Sequence, residues 1–418
     1  MMRRRVLGMI MAGGKGTRLY PLTRDRAKPA VPFGARYRII DWVLSNFVNS
    51  GICSLYVLTQ FKSQSLTQHI QETWGRSSML GEHFIIPVPA QMQTGDSWYT
   101  GTGDAIYQNL NLIRESRPHI VAVFGGDHIY RMDISQMIAF HNEVDAECTI
   151  AGITVPIEEA HQFGVMKVDE YGRIVAFQEK PKDPAPMPND PKRALVSMGN
   201  YIFSARSLVD SLERDAADDA SSHDFGKDIL PRLLDRGQAL YCYNFERNKV
   251  PGETGSNTYW RDVGTIDAYY EATLDLRDVV PNFNLYNRQW PIRTAAYDLP
   301  PAKFVHDEKD RIGHAINSIV AEGTIVSGAR LKGCVVGRNV RVNSFSDLED
   351  CIIMDNVEIG RHVKLRGVII DKNVKVPDQE EIGFDQARDS ERFHVSEKGI
   401  VVIPKQPRFE GSLGTINL

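Results

Sequence analysis

Apolar residues fall along this chain in two textures. Over the first two thirds, short apolar runs at residues 6–11, 54–59, 120–124 and 149–155 alternate with amphipathic stretches such as 39–49 and 105–114. The runs predict strands and the stretches predict helices. Strands alternating with helices imply an α/β domain with a Rossmann-like, mostly parallel sheet covered on both faces. Ligands of such sheets sit beyond the carboxyl ends of the strands. The proline-rich segment 184–191 cannot form a helix or an inner strand, so it is expected as an exposed loop.

From about residue 315 the period changes. Apolar residues recur at Ile319, Ile325, Leu331, Val336, Val342 and Leu348 and continue in the same way to Val376. The step is six, sometimes five, and Gly, Asn and Asp fill the intervals. Neither a helix nor an ordinary strand has this period. A hexapeptide repeat has it, with three short strands per coil stacked into a left-handed parallel β-helix. The predicted organisation is an α/β domain over 1–280, a linker over 281–305 and the β-helix over 306–418. Cys334 and Cys351 fall about one coil apart and are read as stacked small fillers rather than a disulfide.

Composition narrows the partners. A net charge of −4 gives no reason to expect nucleic acid. No apolar stretch approaches the ~20 residues needed to span a membrane. The basic start at Arg3–Arg5 and the short run after it lead into glycines without a cleavage pattern, which favours a first strand over a signal peptide. Five scattered cysteines with no CxxC pair fit a reducing, cytoplasmic setting.

Candidate chemistry begins just after that first strand, at Gly13-Gly14-Lys15-Gly16-Thr17-Arg18-Leu19. Glycines let backbone N–H groups approach phosphate oxygens closely. The P-loop spacing and the third glycine of the Rossmann fingerprint are both missing. Arg18 and Lys28 follow the loop. Two cations beside a phosphate cradle suit a triphosphate whose pyrophosphate must leave. Either alone reads more simply as a solvated surface charge. Asp127 follows the run 120–124 at a strand end, where a carboxylate either points into a cleft or caps a turn.

The loop and Lys28-Pro29 resemble the signature of the sugar-phosphate nucleotidyltransferases. The resemblance continues through Trp98-Tyr99-Thr100-Gly101, Gly126-Asp127-His128, Phe163-Gly164-Val165-Met166 and Glu179-Lys180-Pro181. The stretches Ser222-His223-Asp224-Phe225-Gly226-Lys227-Asp228 and Tyr259-Trp260-Arg261-Asp262-Val263-Gly264-Thr265 are more specific. Together with the C-terminal repeats, they make nearly the whole chain similar to the bacterial ADP-glucose pyrophosphorylases.

That resemblance implies adenylyl transfer from ATP to glucose 1-phosphate, giving ADP-glucose and pyrophosphate for glycogen synthesis. It implies catalytic roles for Arg18, Lys28 and Asp127, and one Mg²⁺ shared by Asp127 and Asp262. Nucleotide contacts are expected from Gly13, Gly14, Gly16, Thr17, Gln91 and Gly101. Glucose 1-phosphate contacts are expected from Tyr99, Gly164, Glu179, Lys180, Ser197 and Asp224. A homotetramer and a phosphorylated small-molecule effector also follow, with Arg26 and Arg38 as a possible effector site.

The chain departs from the enteric members of the family near that site. Asp25 stands where they have a lysine, and Pro32 where they have a histidine. A carboxylate repels an anion, so a sugar phosphate other than fructose 1,6-bisphosphate, or weak regulation, fits better. Three alternatives stay open on sequence: uridylyl or thymidylyl transfer, a non-catalytic regulatory subunit, and an acyltransferase using His362 in the coils.

Overall fold

A computed structural model describes residues 4–75, 83–91, 98–188, 190–253, 255 and 259–406. Nine strands form the main sheet: β1 (Val6–Met11), β2 (Ser54–Thr59), β3 (Phe84–Pro89), β4 (Ile120–Gly125), β5 (Cys148–Pro156), β6 (Gly164–Val168), β7 (Ile174–Glu179), β8 (Arg193–Ser204) and β9 (Leu240–Asn244). The order is β7-β6-β8-β4-β1-β2-β3, with β5 pairing β8 and β9. Strands β4, β1, β2 and β3 run parallel.

Strand β8 joins them antiparallel to β4, and β5, β6 and β7 extend the sheet through antiparallel pairs. The sheet is therefore mixed, parallel in the half that carries the glycine loop. The apolar runs do not encode this change of direction, because a strand buried on both faces reads alike in either direction. Ile120, Ala122 and Phe124 enter the core on one face of β4, and Val121 and Val123 the core on the other. That is the period-2 alternation of a strand covered on both sides.

The helix expected over 105–114 is two short helices, Thr102–Tyr107 and Leu110–Ser116. Between them Asn109 N donates to Ile106 O at 3.0 Å, a tighter turn than an α-helix makes. The break lets the Asn109 side chain reach back to Ala105 O (2.8 Å) and Tyr99 Oη (2.9 Å).

The C-terminal part is a three-sided parallel β-helix. Leu331, Leu348, Leu365 and Ile382 stack in register, so a coil takes 17 residues here. That is two steps of six and one of five. The corners need left-handed backbone, which glycine and asparagine adopt at least cost. Asn339, Asn356 and Asn373 take φ of 54°, 59° and 61° at one corner. Their side-chain amides form a ladder with 3.0 Å steps. Cys334 and Cys351 are buried free thiols one coil apart.

One face of the β-helix packs on the first domain. Val335, Ile352 and Ile369 share a core with Ile266, Tyr269 and Ala272 of the helix Ile266–Asp275. Arg26 also crosses this seam to Asp371, at 2.7 Å, with both side chains almost fully buried. No helix among the described residues is long and apolar enough to cross a membrane.

Candidate active site

A cleft of about 790 Å³ opens at the carboxyl ends of β1, β4 and β7. β1 runs into Gly13, Gly14 and Gly16, β4 into Asp127, and β7 into Glu179 and Lys180. Ser197 joins from the irregular stretch of β8, where pairing with β5 lapses between Ser197 and Tyr201. Tyr99, Gly101, Gly164, Asp224 and Asp262 complete the residues expected from sequence that line it, with Arg18 and Lys28. Thr17 and Gln91 are not among the lining residues. Thr17 opens the short turn Thr17–Leu19, and Gln91 follows β3 and is exposed.

The charged centre is compact. Lys28 Nζ lies 2.7 Å from Asp262 Oδ1 and 3.0 Å from Asp127 Oδ2. Arg18 approaches Asp262 at 3.7 Å from a more exposed position. Burial works against the Lys28 ammonium, but the two carboxylates outweigh it and hold its pKa above the ordinary value. Burial likewise pushes the Asp127 carboxyl up, while Lys28 and His128 bring it down to about 2. Both groups are therefore ionised at neutral pH.

His128 is a member of this centre that had no role assigned from sequence. Its Nε2 lies 3.7 Å from Asp127 and 3.9 Å from Asp262, and its ring packs edge-on against Trp260. Ligand atoms of Asp127, His128 and Asp262 all lie within 4.8 Å of one another. Two carboxylates already drawn around one cationic nitrogen, with open cleft beside them, fit a hard divalent cation that completes its shell with phosphate oxygens and water.

The opposite end of the cleft is built differently. Burial raises the Glu179 carboxyl above its ordinary pKa, and Lys180 Nζ lies 3.4 Å away. Gly226 packs so closely on Glu179 that a Cβ there would sit 2.4 Å from Oε2. Asp224 accepts from the backbone N–H groups of Gly226 (2.9 Å) and Lys227 (3.1 Å), so it caps the turn Phe225–Ile229 while lining the cleft.

Gln60, also unassigned from sequence, clasps Tyr99. Its Oε1 accepts from Tyr99 N at 2.9 Å and its Nε2 donates to Tyr99 O at 3.3 Å. A glutamine after an apolar run carries no local signal of such a role.

Arg26 and Arg38 lie outside the cleft. Arg26 is committed to Asp371, and Arg38 donates to the carbonyl (2.7 Å) and hydroxyl (2.9 Å) of Ser65. Asp25 accepts from Arg24 at 3.1 Å, so a neighbouring cation already offsets the repulsion its carboxylate would exert on an anion.

Residues 7–279 match the model of a family described as nucleotidyl transferase, and residues 300–403 match one described as GlmU-like, C-terminal hexapeptide. The chain is 58% identical to a glucose-1-phosphate adenylyltransferase of Thermus thermophilus, over 98% of this chain and 100% of that protein. It is 52% identical to one from an Anaeromyxobacter species over 97% and 99%. It is 49% identical to glucose-1-phosphate adenylyltransferase 1 of Vibrio parahaemolyticus over 96% and 98%.

Proposed function

We infer from its place in the family what this chain does: it belongs to the nucleotidyl transferases, and within them to the glucose-1-phosphate adenylyltransferases. It transfers the adenylyl group of ATP to α-D-glucose 1-phosphate, giving ADP-glucose and pyrophosphate for α-glucan (glycogen) synthesis. The observation that carries this reading is the near-full-length identity to relatives bearing that name.

A phosphate oxygen of glucose 1-phosphate attacks the α-phosphorus of ATP in line. The new O–P bond forms as the bond to the bridging oxygen of the β-phosphate breaks, and pyrophosphate leaves with that electron pair. No side chain becomes covalently attached. The protein's contribution is positioning and charge neutralisation.

The glycine loop at Gly13, Gly14 and Gly16 holds the nucleotide phosphates. Lys28 and Arg18 offset the charge that grows on the departing pyrophosphate. Asp127 and Asp262 are the residues that would hold Mg²⁺, with His128 beside them. When bound, Mg²⁺ supplies charge neutralisation at the phosphates. Lys180 pairs with the sugar phosphate, and Glu179 accepts from sugar hydroxyls. Tyr99, Gly164, Ser197 and Asp224 shape the sugar end.

A phosphorylated effector is proposed at the seam between the domains rather than in the cleft. Lys372 lies there, paired with Asp355 at 2.8 Å. Burial brings its amine down to about 8, against the pull of Asp355 and with Arg38 and Arg26 adding to the fall, so a further anion would favour its charged form. A homotetramer is the expected assembly, to be read from the mass in solution.

Competition among ATP, UTP, dTTP, CTP and GTP tests the nucleotide assignment. Strong preference for ATP supports it. Preference for UTP or dTTP keeps the roles of the sugar-end residues and overturns the adenylyl assignment.

A further inference from the structure

Outside the cleft, the helix Ala205–Ala216 carries an almost fully buried carboxylate, Asp215. A negative charge in a helix's last turn works against the helix dipole, so helix stability does not explain it. Three donors converge on this side chain. Ser221 Oγ and Arg232 Nη1 each donate to Oδ1 at 2.7 Å, and His223 Nδ1 lies 2.8 Å from Oδ2. None of these three lines the cleft.

His223 held in this way has a left-handed backbone, with φ of 54°. Residues other than glycine adopt that region only at a cost that surrounding contacts must offset. The consequence is where its carbonyl points. It accepts from the N–H groups of Gly103 (2.8 Å) and Asp104 (3.3 Å), in the first turn of the helix Thr102–Tyr107.

The neighbouring residues are stitched as tightly. Thr102 Oγ1 donates to Asp224 Oδ2 at 3.0 Å and accepts from Phe225 N at 3.0 Å. A Cβ at Gly101 would sit 2.2 Å from the His223 carbonyl oxygen. Two walls of the cleft therefore meet on the His223 backbone. One carries Tyr99, Gly101 and Thr102, and the other carries Asp224, Phe225 and Gly226, which abuts Glu179.

We propose that Asp215 is a positioning residue for glucose 1-phosphate: by anchoring His223 it fixes the spacing between the Tyr99–Gly101 wall and the Asp224–Gly226 wall. This rests on the reading above that the Glu179 end of the cleft receives the sugar phosphate. Asp215 touches no substrate and acts through His223, directly through the ring and indirectly through Ser221, whose hydroxyl accepts from His223 N at 3.0 Å.

Steady-state kinetics of ADP-glucose formation tests it, with the unaltered protein assayed in parallel. Asp215→Ala is expected to raise KM for glucose 1-phosphate about tenfold, with KM for ATP and kcat changing less than about threefold. A merely structural role gives a different signature. It lowers the melting temperature and the active fraction, and hence the apparent kcat, and leaves KM unchanged. That outcome overturns the proposal.

If Asp215→Ala does not fold, Asp215→Ser decides by the same criterion, since the shorter side chain with its single oxygen cannot hold all three partners. His223→Asn provides a further check. Asparagine tolerates the left-handed backbone but loses the ring's reach, so a rise in KM there supports anchoring and an unchanged KM contradicts it. Failure of the unaltered protein to form ADP-glucose would instead overturn the functional reading on which this rests.

Discussion

Lys28 stands between two carboxylates, and Lys180 stands at the other end of the cleft beside Glu179. The two lysines should fail differently. Lys180→Ala should raise KM for glucose 1-phosphate far more than KM for ATP, measured by varying one substrate at saturation of the other. Equal effects would remove Lys180 from the sugar phosphate. Asp127→Ala should lower kcat at saturating substrate and Mg²⁺, by about two orders of magnitude or more for lost transition-state neutralisation. Near-normal turnover would exclude it from the mechanism. Gly13, Gly14, Gly16, Arg18, Lys28 and Asp127 were legible as residues, because glycines, cations and a strand-end carboxylate have chemical reasons to sit at such sites, whereas the sugar-end residues came from the family resemblance. Their convergence was not legible, since Lys28 and Asp262 are 234 positions apart and no local pattern encodes that meeting. Gln60 and His128 were missed for the same reason. Their roles come from what they face across the cleft.

At the scale of elements, the close approach of the turn Phe225–Ile229 to β7 makes a specific demand. Gly226→Ala places a methyl against the Glu179 carboxylate, whose position is itself limited by its burial. Glucose 1-phosphate should then bind more weakly while ATP binding holds, and equal losses in both would contradict the assignment of that wall. The helix Ile134–Glu143 supplies a pH-dependent term. His141 is buried against Thr149 Oγ1 at 2.8 Å, and burial brings its pKa down to about 4. The folded value lies below the unfolded ~6.5. The unfolded chain therefore binds the extra proton between those values. This stability is fully present above about pH 6.5 and falls as pH drops toward 4, by roughly 3 kcal/mol. Urea unfolding across that range should show a shallower pH dependence in His141→Gln than in the unaltered protein. The inner strands were readable as short apolar runs, because a strand covered on both faces is apolar throughout, and the coils because their stacking imposes a step of about six. The antiparallel half of the sheet was not, because it depends on partners far along the chain, and the break at Asn109 was not, because it rests on side-chain hydrogen bonds that a hydrophobic pattern does not record.

Across the whole molecule, the seam between the two domains combines an apolar core with buried ion pairs. Arg26 and Asp371 are nearly sealed from water, so removing one partner strands the other. Asp371→Ala should cost about 3–5 kcal/mol in equilibrium unfolding, whereas replacing both residues by apolar ones of similar volume should cost much less. A double variant that loses as much as the two single variants added together would show that the pair is not energetically coupled. On sequence, Arg26 stood with Arg38 as a possible effector site implied by the family resemblance. Its partner lies 345 residues away on the β-helix, which no reading of residues near Arg26 discloses. The β-helix thus braces the flank of the domain that bears the cleft. The measurement that bears most directly on the central claim is product analysis with ATP labelled at the α-phosphorus, glucose 1-phosphate and Mg²⁺. The account predicts that all transferred label appears in ADP-glucose and that unlabelled pyrophosphate is released in equal amount. Label in any other product, or pyrophosphate released without ADP-glucose, would contradict it.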